Sequence, residues 1–256
     1  MELKILGADG TQCMGCASIS ALVDGRVLID AGTGAHNLSM QEIDQIRDVL
    51  VTHSHLDHTG MLCFLAESRI GGPDICGLCV HSFPETADAI REGFLNNKIW
   101  PDFEKIKIEG KPLMSFKSFT PYKPIKFGEL RATPFPVDHA GLPTAGFVLT
   151  SGIEEFVFIS DIYKMPKKTL TFLNGLKKFR RMTIEVSFPE GKEDLAKSAG
   201  HLTPLLLEQI LEHLPQVEDV FYCHVKPRYG MEIDAQIQNR FGKRVRALQT
   251  GMLFDV

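Results

Sequence analysis

Residues 52–58, with the sequence Thr-His-Ser-His-Leu-Asp-His, constrain this chain more than any other segment. Their imidazole and carboxylate groups together suit zinc, manganese or iron. A short apolar run ends just before them, so His53 and His55 leave an extended strand on the same side and can bind one ion. Asp57 and His58 follow where the chain turns into a helix, and they can reach a second ion. The alternative is a chance surface cluster of histidines, which this spacing argues against.

Three later segments place a candidate ligand after a strand-like run, namely His139, Asp161 and His224. Taken singly, each residue would more often be structural, because an Asp at the end of a strand usually caps a turn. Taken together with residues 52–58, they predict metal ligands on loops at one edge of a sheet.

The order of apolar runs predicts an α/β fold. Strand-like runs at residues 2–6, 18–24 and 26–30 are separated by turns, as in antiparallel ribbons, and helical patterns are interspersed further along the chain. This order fits two sheets packed face to face with helices outside, an αββα sandwich. Residues 101–127 have weak periodicity and are expected to form a hairpin or lid near the site. We expect residues 1–256 to form a single domain, since this length can bury a full core without disulfides.

The order of the His-x-His-x-Asp-His motif, a His, a strand-end Asp and a late His resembles the metallo-β-lactamase superfamily. The resemblance covers essentially the whole chain, and residues 28–34 are similar to the early strand and turn of that superfamily. It implies two packed mixed sheets flanked by helices, with two divalent cations of which zinc is preferred over manganese or iron. The implied ligands are His53, His55 and His139 for one ion, Asp57, His58 and His224 for the other, and Asp161 as the bridge.

A second pair of residues bears on the chemistry. Glu185 could orient His201, and His201 could protonate an alkoxide leaving group, which would contribute about 10²–10⁴ in rate. The alternative is that Thr203 caps the following helix and His201 only packs against that helix. The arrangement is similar to the Glu and His pair of ribonuclease Z.

Residues 52–58, 200–204 (Gly-His-Leu-Thr-Pro) and 224–227 (His-Val-Lys-Pro) together resemble the class II 3′,5′-cyclic nucleotide phosphodiesterases, as do residues 96–103. The resemblance implies a phosphodiesterase that converts cyclic AMP or cyclic GMP to the 5′-monophosphate through a hydroxide bridging two metals. The implied catalytic residues are Asp57, Glu185 and His201. Two weaker substrate contacts are Lys226, as a partner of the phosphate, and Trp100, as a stacking platform for the base; the alternatives are a solvated lysine and a buried tryptophan.

Two other functions remain open. A ribonuclease Z-like nuclease, or an enzyme acting on another small phosphodiester, would use the same ligands. However, ribonuclease Z carries a long arm for tRNA between its middle His and Asp ligands, and residues 140–160 leave no room for one. A non-catalytic module that senses a nucleotide is the other alternative, and the complete ligand set together with Glu185 and His201 argues against it.

Composition excludes some partners. The formal net charge of −4 lacks the basic excess of a general nucleic-acid binder, so we expect a small phosphodiester substrate and no stable nucleic-acid partner. No run approaches 18 apolar residues, so no membrane span is expected. The N-terminal residues lack the apolar core of a signal peptide, which favours a cytoplasmic location. Relatives are often dimers, so a homodimer remains open.

Six cysteines are present, and without a secretory signal we expect free thiols rather than disulfides. Two alternatives involve metal. Cys13 and Cys16 could share a four-thiolate zinc site with Cys76 and Cys79, or they could form a local site that includes Cys223.

Overall fold

The computed structural model describes residues 1–72 and 77–256. Its strands in chain order are β1 (Glu2–Gly7), β2 (Ser20–Val23), β3 (Val27–Ile29), β4 (Asp48–Leu50), β5 (Leu78–Ser82), β6 (Lys107–Ile108), β7 (Lys111–Pro112), β8 (Met114–Ser118), β9 (Ile125–Phe127), β10 (Leu130–His139), β11 (Leu142–Thr150), β12 (Glu155–Phe158), β13 (Phe179–Glu185), β14 (Asp219–Cys223), β15 (Val245–Ala247) and β16 (Leu253–Asp255). The α-helices are α1 (Met40–Gln45), α2 (Leu56–Thr59), α3 (Leu62–Ser68), α4 (Pro84–Gly93), α5 (Lys167–Asn174), α6 (Glu193–Ala199), α7 (Pro204–Glu212) and α8 (Gly230–Phe241). Short 3₁₀ helices cover Thr33–Asn37, Pro227–Tyr229 and Gly242–Arg244.

Fourteen of these strands form two seven-stranded mixed sheets, and β6 and β7 form a separate two-stranded sheet. The first has the order β16-β1-β2-β3-β4-β5-β8, and the second has the order β15-β14-β13-β12-β11-β10-β9. In the first sheet β3, β4, β5 and β8 run parallel, and in the second β12 to β15 run parallel. The carboxyl ends of parallel neighbours meet at one edge of a sheet, which is where α/β proteins generally carry their sites.

Three apolar clusters separate four layers. The cluster between the sheets joins side chains of both, for example Leu3 and Ile29 of the first sheet with Phe147 and Phe158 of the second. A second cluster packs α1, α3 and α4 against the outer face of the first sheet. A third packs α5, α7 and α8 against the outer face of the second sheet. This layering confirms the predicted αββα sandwich.

Residues 101–127 contain a hairpin, formed by β6 and β7. The rest of the segment does not form a lid. Instead, β8 extends the first sheet beside β5, and β9 extends the second sheet beside β10. No helix within residues 1–72 and 77–256 has the length and apolar character needed to cross a membrane.

The expectation of free thiols is wrong for Cys13 and Cys16, which are joined by a disulfide. The two residues lie three positions apart at the end of a hairpin-like loop, so the chain brings their side chains together. Cys63, Cys79 and Cys223 are free, as expected. Cys76 lies outside the described residues. Because the disulfide leaves Cys13 and Cys16 no thiolate to bind metal, both the shared four-thiolate site and the local site with Cys223 are wrong for this structure.

Candidate metal centre

Seven predicted ligands lie on loops at one edge of the sandwich. Residues 53–58 leave the end of β4 and enter α2, so four ligands come from the first sheet. His139 ends β10, Asp161 follows β12, and His224 follows β14, so three ligands come from the second sheet. The structure brings all seven together, because the carboxyl ends of β4, β12 and β14 face the same edge.

The first group of donors contains His53, His55, His139 and Asp161, whose ligand atoms lie within 4.8 Å of one another. His53 Nε2 lies 3.0 Å from His55 Nδ1, and His139 Nε2 lies 3.4 Å from the same atom. Asp161 Oδ2 lies 3.5 Å from His139 Nε2. Three ring nitrogens and a carboxylate oxygen thus converge on one point, which is a suitable arrangement for one divalent cation.

The second group contains Asp57, His58 and His224, which also lie within 4.8 Å of one another. His224 Nε2 lies 3.2 Å from Asp57 Oδ2. Asp161 contacts this group too, since its Oδ1 lies 3.2 Å from His58 Nε2 and its Oδ2 lies 3.4 Å from His224 Nε2. Asp161 therefore has the position that a bridging ligand between two cations requires.

Two orphaned atoms test whether metal ions fit this arrangement. His58 Nε2 and Asp161 Oδ1 are buried and, although they lie 3.2 Å apart, neither makes a hydrogen bond of acceptable geometry within the described residues. An unpaired buried polar atom costs about 1–3 kcal/mol, so such atoms are rare unless an ion or water satisfies them. Both atoms point into the donor groups, and the imidazole and carboxylate set suits zinc and related ions. The residues present therefore fit divalent cations.

A further set of contacts orients the imidazole rings through their second nitrogens. Asp30 Oδ2 accepts from His58 Nδ1 at 2.7 Å, and Asp30 also accepts from the backbone and hydroxyl of Thr52 at 2.8 Å. The Gly200 carbonyl lies 2.7 Å from His139 Nδ1. Contacts of this kind fix the tautomer and direction of a ligating imidazole.

Burial and mutual repulsion keep two of the rings neutral. Burial, followed by the neighbouring His58, lowers the pKa of His53 well below its usual range. Burial, followed by His139, also lowers the pKa of His55. Burial alone would raise the pKa of Asp161, but the imidazoles of His224 and His58 lower it well below its usual range. Neutral imidazole and ionised carboxylate are the forms that bind metal, which suits His53, His55 and Asp161. Burial alone would lower the pKa of His58, but Asp161 and Asp30 raise it well above its usual range, so a metal ion would have to replace the proton on that ring.

Glu185 and His201 form a buried hydrogen bond beside the donor groups, with Oε1 2.7 Å from Nδ1. His201 Nδ1 lies 4.0 Å from Asp161 Oδ2. Burial raises the pKa of Glu185 to about 7, and burial lowers the pKa of His201 to about 4. Burial thus opposes the charged form of both groups. Because Nδ1 faces Glu185, Nε2 is the nitrogen that remains for a substrate.

Glu185 is itself held in place on both oxygens. Its Oε1 accepts from the Ile162 backbone at 2.8 Å, and its Oε2 accepts from the Ser187 hydroxyl at 2.6 Å. The Ser187 oxygen also lies 2.9 Å from Nδ1 of His224. The proposed acid pair and a predicted metal ligand therefore share one hydrogen-bond network.

Thr203 caps α7, as the alternative interpretation of this segment expected. The helix cap and the Glu185–His201 hydrogen bond therefore occur together.

The two weaker substrate contacts lie in different surroundings. Lys226 follows His224 by two residues, and its Nζ donates to the Gly10 carbonyl at 2.7 Å. The Trp100 ring packs against Phe64 and Phe94, with centroids 5.1 Å and 6.4 Å away. The phosphate role of Lys226 and the stacking role of Trp100 both stay predictions.

Three residues that the sequence patterns did not indicate also contact site residues, namely Asp30, Ser187 and Gly200. A signal for Asp30 was present: it directly follows β3, the parallel neighbour of β4, so its side chain reaches the same edge. Asp30 also has a φ of 55°, which few residues other than glycine adopt. Gly200 acts through its carbonyl, which no side-chain pattern reveals.

A family model described as "Beta-lactamase superfamily domain" matches residues 25–225. A Yersinia pestis protein named "Probable 3′,5′-cyclic-nucleotide phosphodiesterase" is 26% identical over 214 residues, which are 75% of this chain and 60% of that protein. The chain thus spans less than two thirds of that relative.

Solved structures show the same architecture. Yeast PDE1 has a TM-score of 0.81 and 18% identity, with 99% of each chain covered. The short form of human tRNase Z has a TM-score of 0.73 and 14% identity, with 100% of this chain and 99% of that chain covered. At these identities the likeness concerns the fold alone. The family match over most of the chain is the stronger finding: the protein belongs to the metallo-β-lactamase superfamily of hydrolases.

Proposed function

We propose that the protein is a metal-dependent phosphodiesterase that hydrolyses 3′,5′-cyclic nucleotides to 5′-monophosphates. The hydrogen bond between Glu185 and His201, placed directly beside both donor groups, carries the proposal. Cleavage of a cyclic nucleotide releases a 3′ alkoxide, which is a poor leaving group unless a proton arrives with it. The name of the Yersinia pestis relative supports the same substrate class.

Two divalent cations would be held by the donor groups, with zinc preferred and manganese or iron as alternatives. The residues that would hold them are His53, His55, Asp57, His58, His139, Asp161 and His224. When bound, such a pair supplies an activated water for attack on phosphorus and neutralises the charge of the phosphoryl oxygens. His55 is exposed and the Asp57 side chain is 33% exposed, so the substrate can approach from this side.

His201 would donate the proton from Nε2 to the leaving 3′ oxygen. Glu185 fixes the ring through Nδ1 and stabilises the positive charge of the protonated ring. The anionic phosphodiester beside the ring favours the imidazolium form, which burial disfavours in the free protein. Lys226, whose charge also acts on His201, would pair with a phosphate oxygen.

A ribonuclease Z-like activity is the second candidate. It would use the same Glu185 and His201 pair and the same donors. The chain between His139 and Asp161 is occupied by β11, β12 and their connections. This leaves no segment for a tRNA-gripping arm, and it favours a small phosphodiester instead.

The test is product formation from cyclic AMP and cyclic GMP by zinc- or manganese-loaded protein, with bis(p-nitrophenyl) phosphate and a precursor tRNA assayed alongside. Turnover of a cyclic nucleotide to the 5′-monophosphate supports the proposal. His53→Ala should abolish this turnover, whereas His213→Ala, an exposed histidine at the end of α7, should not change it. If the protein turns over only bis(p-nitrophenyl) phosphate, the proposed cyclic-nucleotide substrate is wrong. If it cleaves the precursor tRNA as efficiently as the cyclic nucleotides, the nuclease function is favoured.

A further inference from the structure

A second cluster of reactive side chains lies away from the metal centre, on the inner face of the first sheet. Asp48 of β4 pairs with Cys79 of β5, and His81 pairs with Leu50, which packs between the two sheets. Side chains two residues apart on a strand share a face, so Asp48, Cys79 and His81 all point toward the second sheet. On the other side of β5, Lys117 of β8 pairs with His81.

These side chains are in contact with one another. His81 Nε2 lies 2.7 Å from Asp48 Oδ1, and ligand atoms of Asp48, Cys79 and His81 all lie within 4.8 Å. The Cys79 sulfur thus lies beside the His81 ring, and Cys79 pairs with Ser115 of β8 across the sheet. The His81 ring meets Phe127 of the second sheet edge-on, with centroids 5.3 Å apart. A thiol, an imidazole and a carboxylate therefore form a chain beside an apolar wall.

The charges around Cys79 favour its thiolate. Partial burial alone would raise the pKa of Cys79, but the hydrogen bond and charge of His81 and the charge of Lys117 bring it below its usual value. Burial alone would lower the pKa of His81, but its hydrogen bonds to Asp48 and Cys79 raise it to about 9. A thiolate paired with an imidazolium is the reactive form of cysteine.

The other two free thiols in the described residues differ from Cys79. Cys63 and Cys223 are buried, whereas Cys79 is partly exposed. Burial raises the pKa of Cys63 to about 12, and burial raises that of Cys223 well above its usual range. These two cysteines therefore serve as unreactive references within the same molecule.

A cavity of about 360 Å³ opens beside the cluster, between the edges of the two sheets. Asp48 and His81 line it on one side, and Phe127 lines it on the other. Two exposed lysines, Lys117 and Lys126, also line this cavity. With a protonated His81, the lining carries three positive charges, which exceed the two negative charges of the Asp48 carboxylate and the adjacent Cys79 thiolate. This net positive charge attracts an anion and opposes a bound cation.

We propose that Cys79 is a modification site for low-molecular-weight disulfides that carry carboxylates, with His81 and Asp48 as its positioning residues. The Cys79 thiolate attacks one sulfur of the disulfide and forms a new S–S bond. The original S–S bond breaks, and the second half of the disulfide leaves as a thiolate that takes up a proton. No further oxidant is required, and an added thiol reverses the step. Lys117 and Lys126 would bind the carboxylates of the reagent.

The experiment uses the full chain with its metal centre loaded, in a Cys76→Ser background. Thiol reactivity is measured with two alkylating reagents of similar size, neutral iodoacetamide and anionic iodoacetate, and the ratio of their rates gives the charge preference of each cysteine. Fragment-ion mass spectrometry assigns each label to its cysteine. Glutathione disulfide is the disulfide probe. At pH 7 Cys79 should react at least about tenfold faster than Cys63 and Cys223, because the thiolate is the nucleophile. His81→Gln should remove most of this advantage.

The lysines are tested by the ratio of the iodoacetate rate to the iodoacetamide rate at Cys79. The double variant Lys117→Ala/Lys126→Ala should lower this ratio, whereas Lys243→Ala, exposed at the other end of the second sheet, should leave it unchanged. Glutathione disulfide should add one glutathionyl group at Cys79, reversibly. The proposal is overturned if Cys79 reacts no faster than the buried cysteines, or if His81→Gln leaves the rate at Cys79 unchanged. Protection of Cys79 by stoichiometric zinc would also overturn it, in favour of a metal site.

Discussion

Glu185 Oε1 and His201 Nδ1 lie 2.7 Å apart, although Glu185 ends β13 and His201 follows α6, sixteen residues later. Glu185 is fully buried and His201 is nearly so, hence their hydrogen bond is shielded from water and fixes the direction of the ring. The ring is thereby held next to Asp161, at the junction of the two donor groups.

This relationship predicts that the effect of losing His201 depends on the leaving group. His201→Ala should reduce turnover of cyclic nucleotides by about 10²–10⁴, because the alkoxide then leaves without a proton. Turnover of bis(p-nitrophenyl) phosphate should change little, because nitrophenolate needs no proton. Steady-state kinetics on both substrates provide the measurement, with His213→Ala as control. Equal losses on the two substrates would contradict the role of His201 as proton donor.

Asp30 should control metal affinity without touching the metal. Asp30→Asn keeps the size of the side chain but removes the charge that faces His58 Nδ1. We expect metal affinity to fall about 10–100-fold, as is usual for the hydrogen-bond partner of a ligating histidine. Competition with a chromophoric chelator measures the change. Asp24→Asn, in the turn between β2 and β3, is the matched control and should retain wild-type affinity.

Metal removal should destabilise the protein. A ligand that binds only the folded state stabilises it by about 2.7 kcal/mol when present at a hundred times its dissociation constant. The thermal midpoint should therefore fall on chelation and recover when zinc is returned. In Asp161→Asn, which weakens the donor shared by both groups, the midpoint should respond much less. An unchanged midpoint in chelated wild-type protein would argue against metal binding at these residues.

His81 should give a pH-dependent contribution to stability. Its pKa is raised from 6.5 to about 9 in the folded protein, so the protonated ring stabilises the fold. The contribution is fully present below pH 6.5 and is lost as pH rises through about 9. The free energy of unfolding, measured in urea, should be larger for wild type than for His81→Gln. This difference should be roughly 1–2 kcal/mol greater at pH 6 than at pH 10, because Asp48, the partner of His81, is partly exposed and its charge is screened by water. An equal difference at the two pH values would contradict this role of His81.

Gly32 should tolerate no side chain. A Cβ at this position would lie 2.1 Å from the Asp57 carbonyl and 2.5 Å from the Ile19 carbonyl. Gly32→Ala should therefore destabilise the fold by about 1–3 kcal/mol and displace Asp57. Gly93→Ala, at the end of α4 where a Cβ meets nothing within 4 Å, should be neutral or stabilising. Urea unfolding and metal affinity of the two variants test this difference.

The sequence predicted the layers of the fold and the location of the seven donors, because residues 53–58 are local and the later donors all end strands. Other features depend on distant pairings. β16 pairs with β1, so Glu2 faces Asp255, and no local pattern indicates this. The same holds for Asp48 and Cys79, whose proximity follows from the register of β4 and β5. The role of Gly200 depends on a backbone carbonyl, which amino-acid identity does not encode.

The division of the donors between the sheets links the centre to folding. The donors in residues 53–58 follow a strand of the first sheet, whereas His139, Asp161 and His224 lie at strand ends of the second sheet. Neither half of the chain therefore contains a complete set of metal ligands. High affinity for metal ions would therefore arise only after the apolar layer between the sheets has closed, and ions bound there would hold the two sheets together. Metal retention should thus report whether the sandwich has assembled, and mutations in that layer, such as at Phe147, should loosen ions held at its edge.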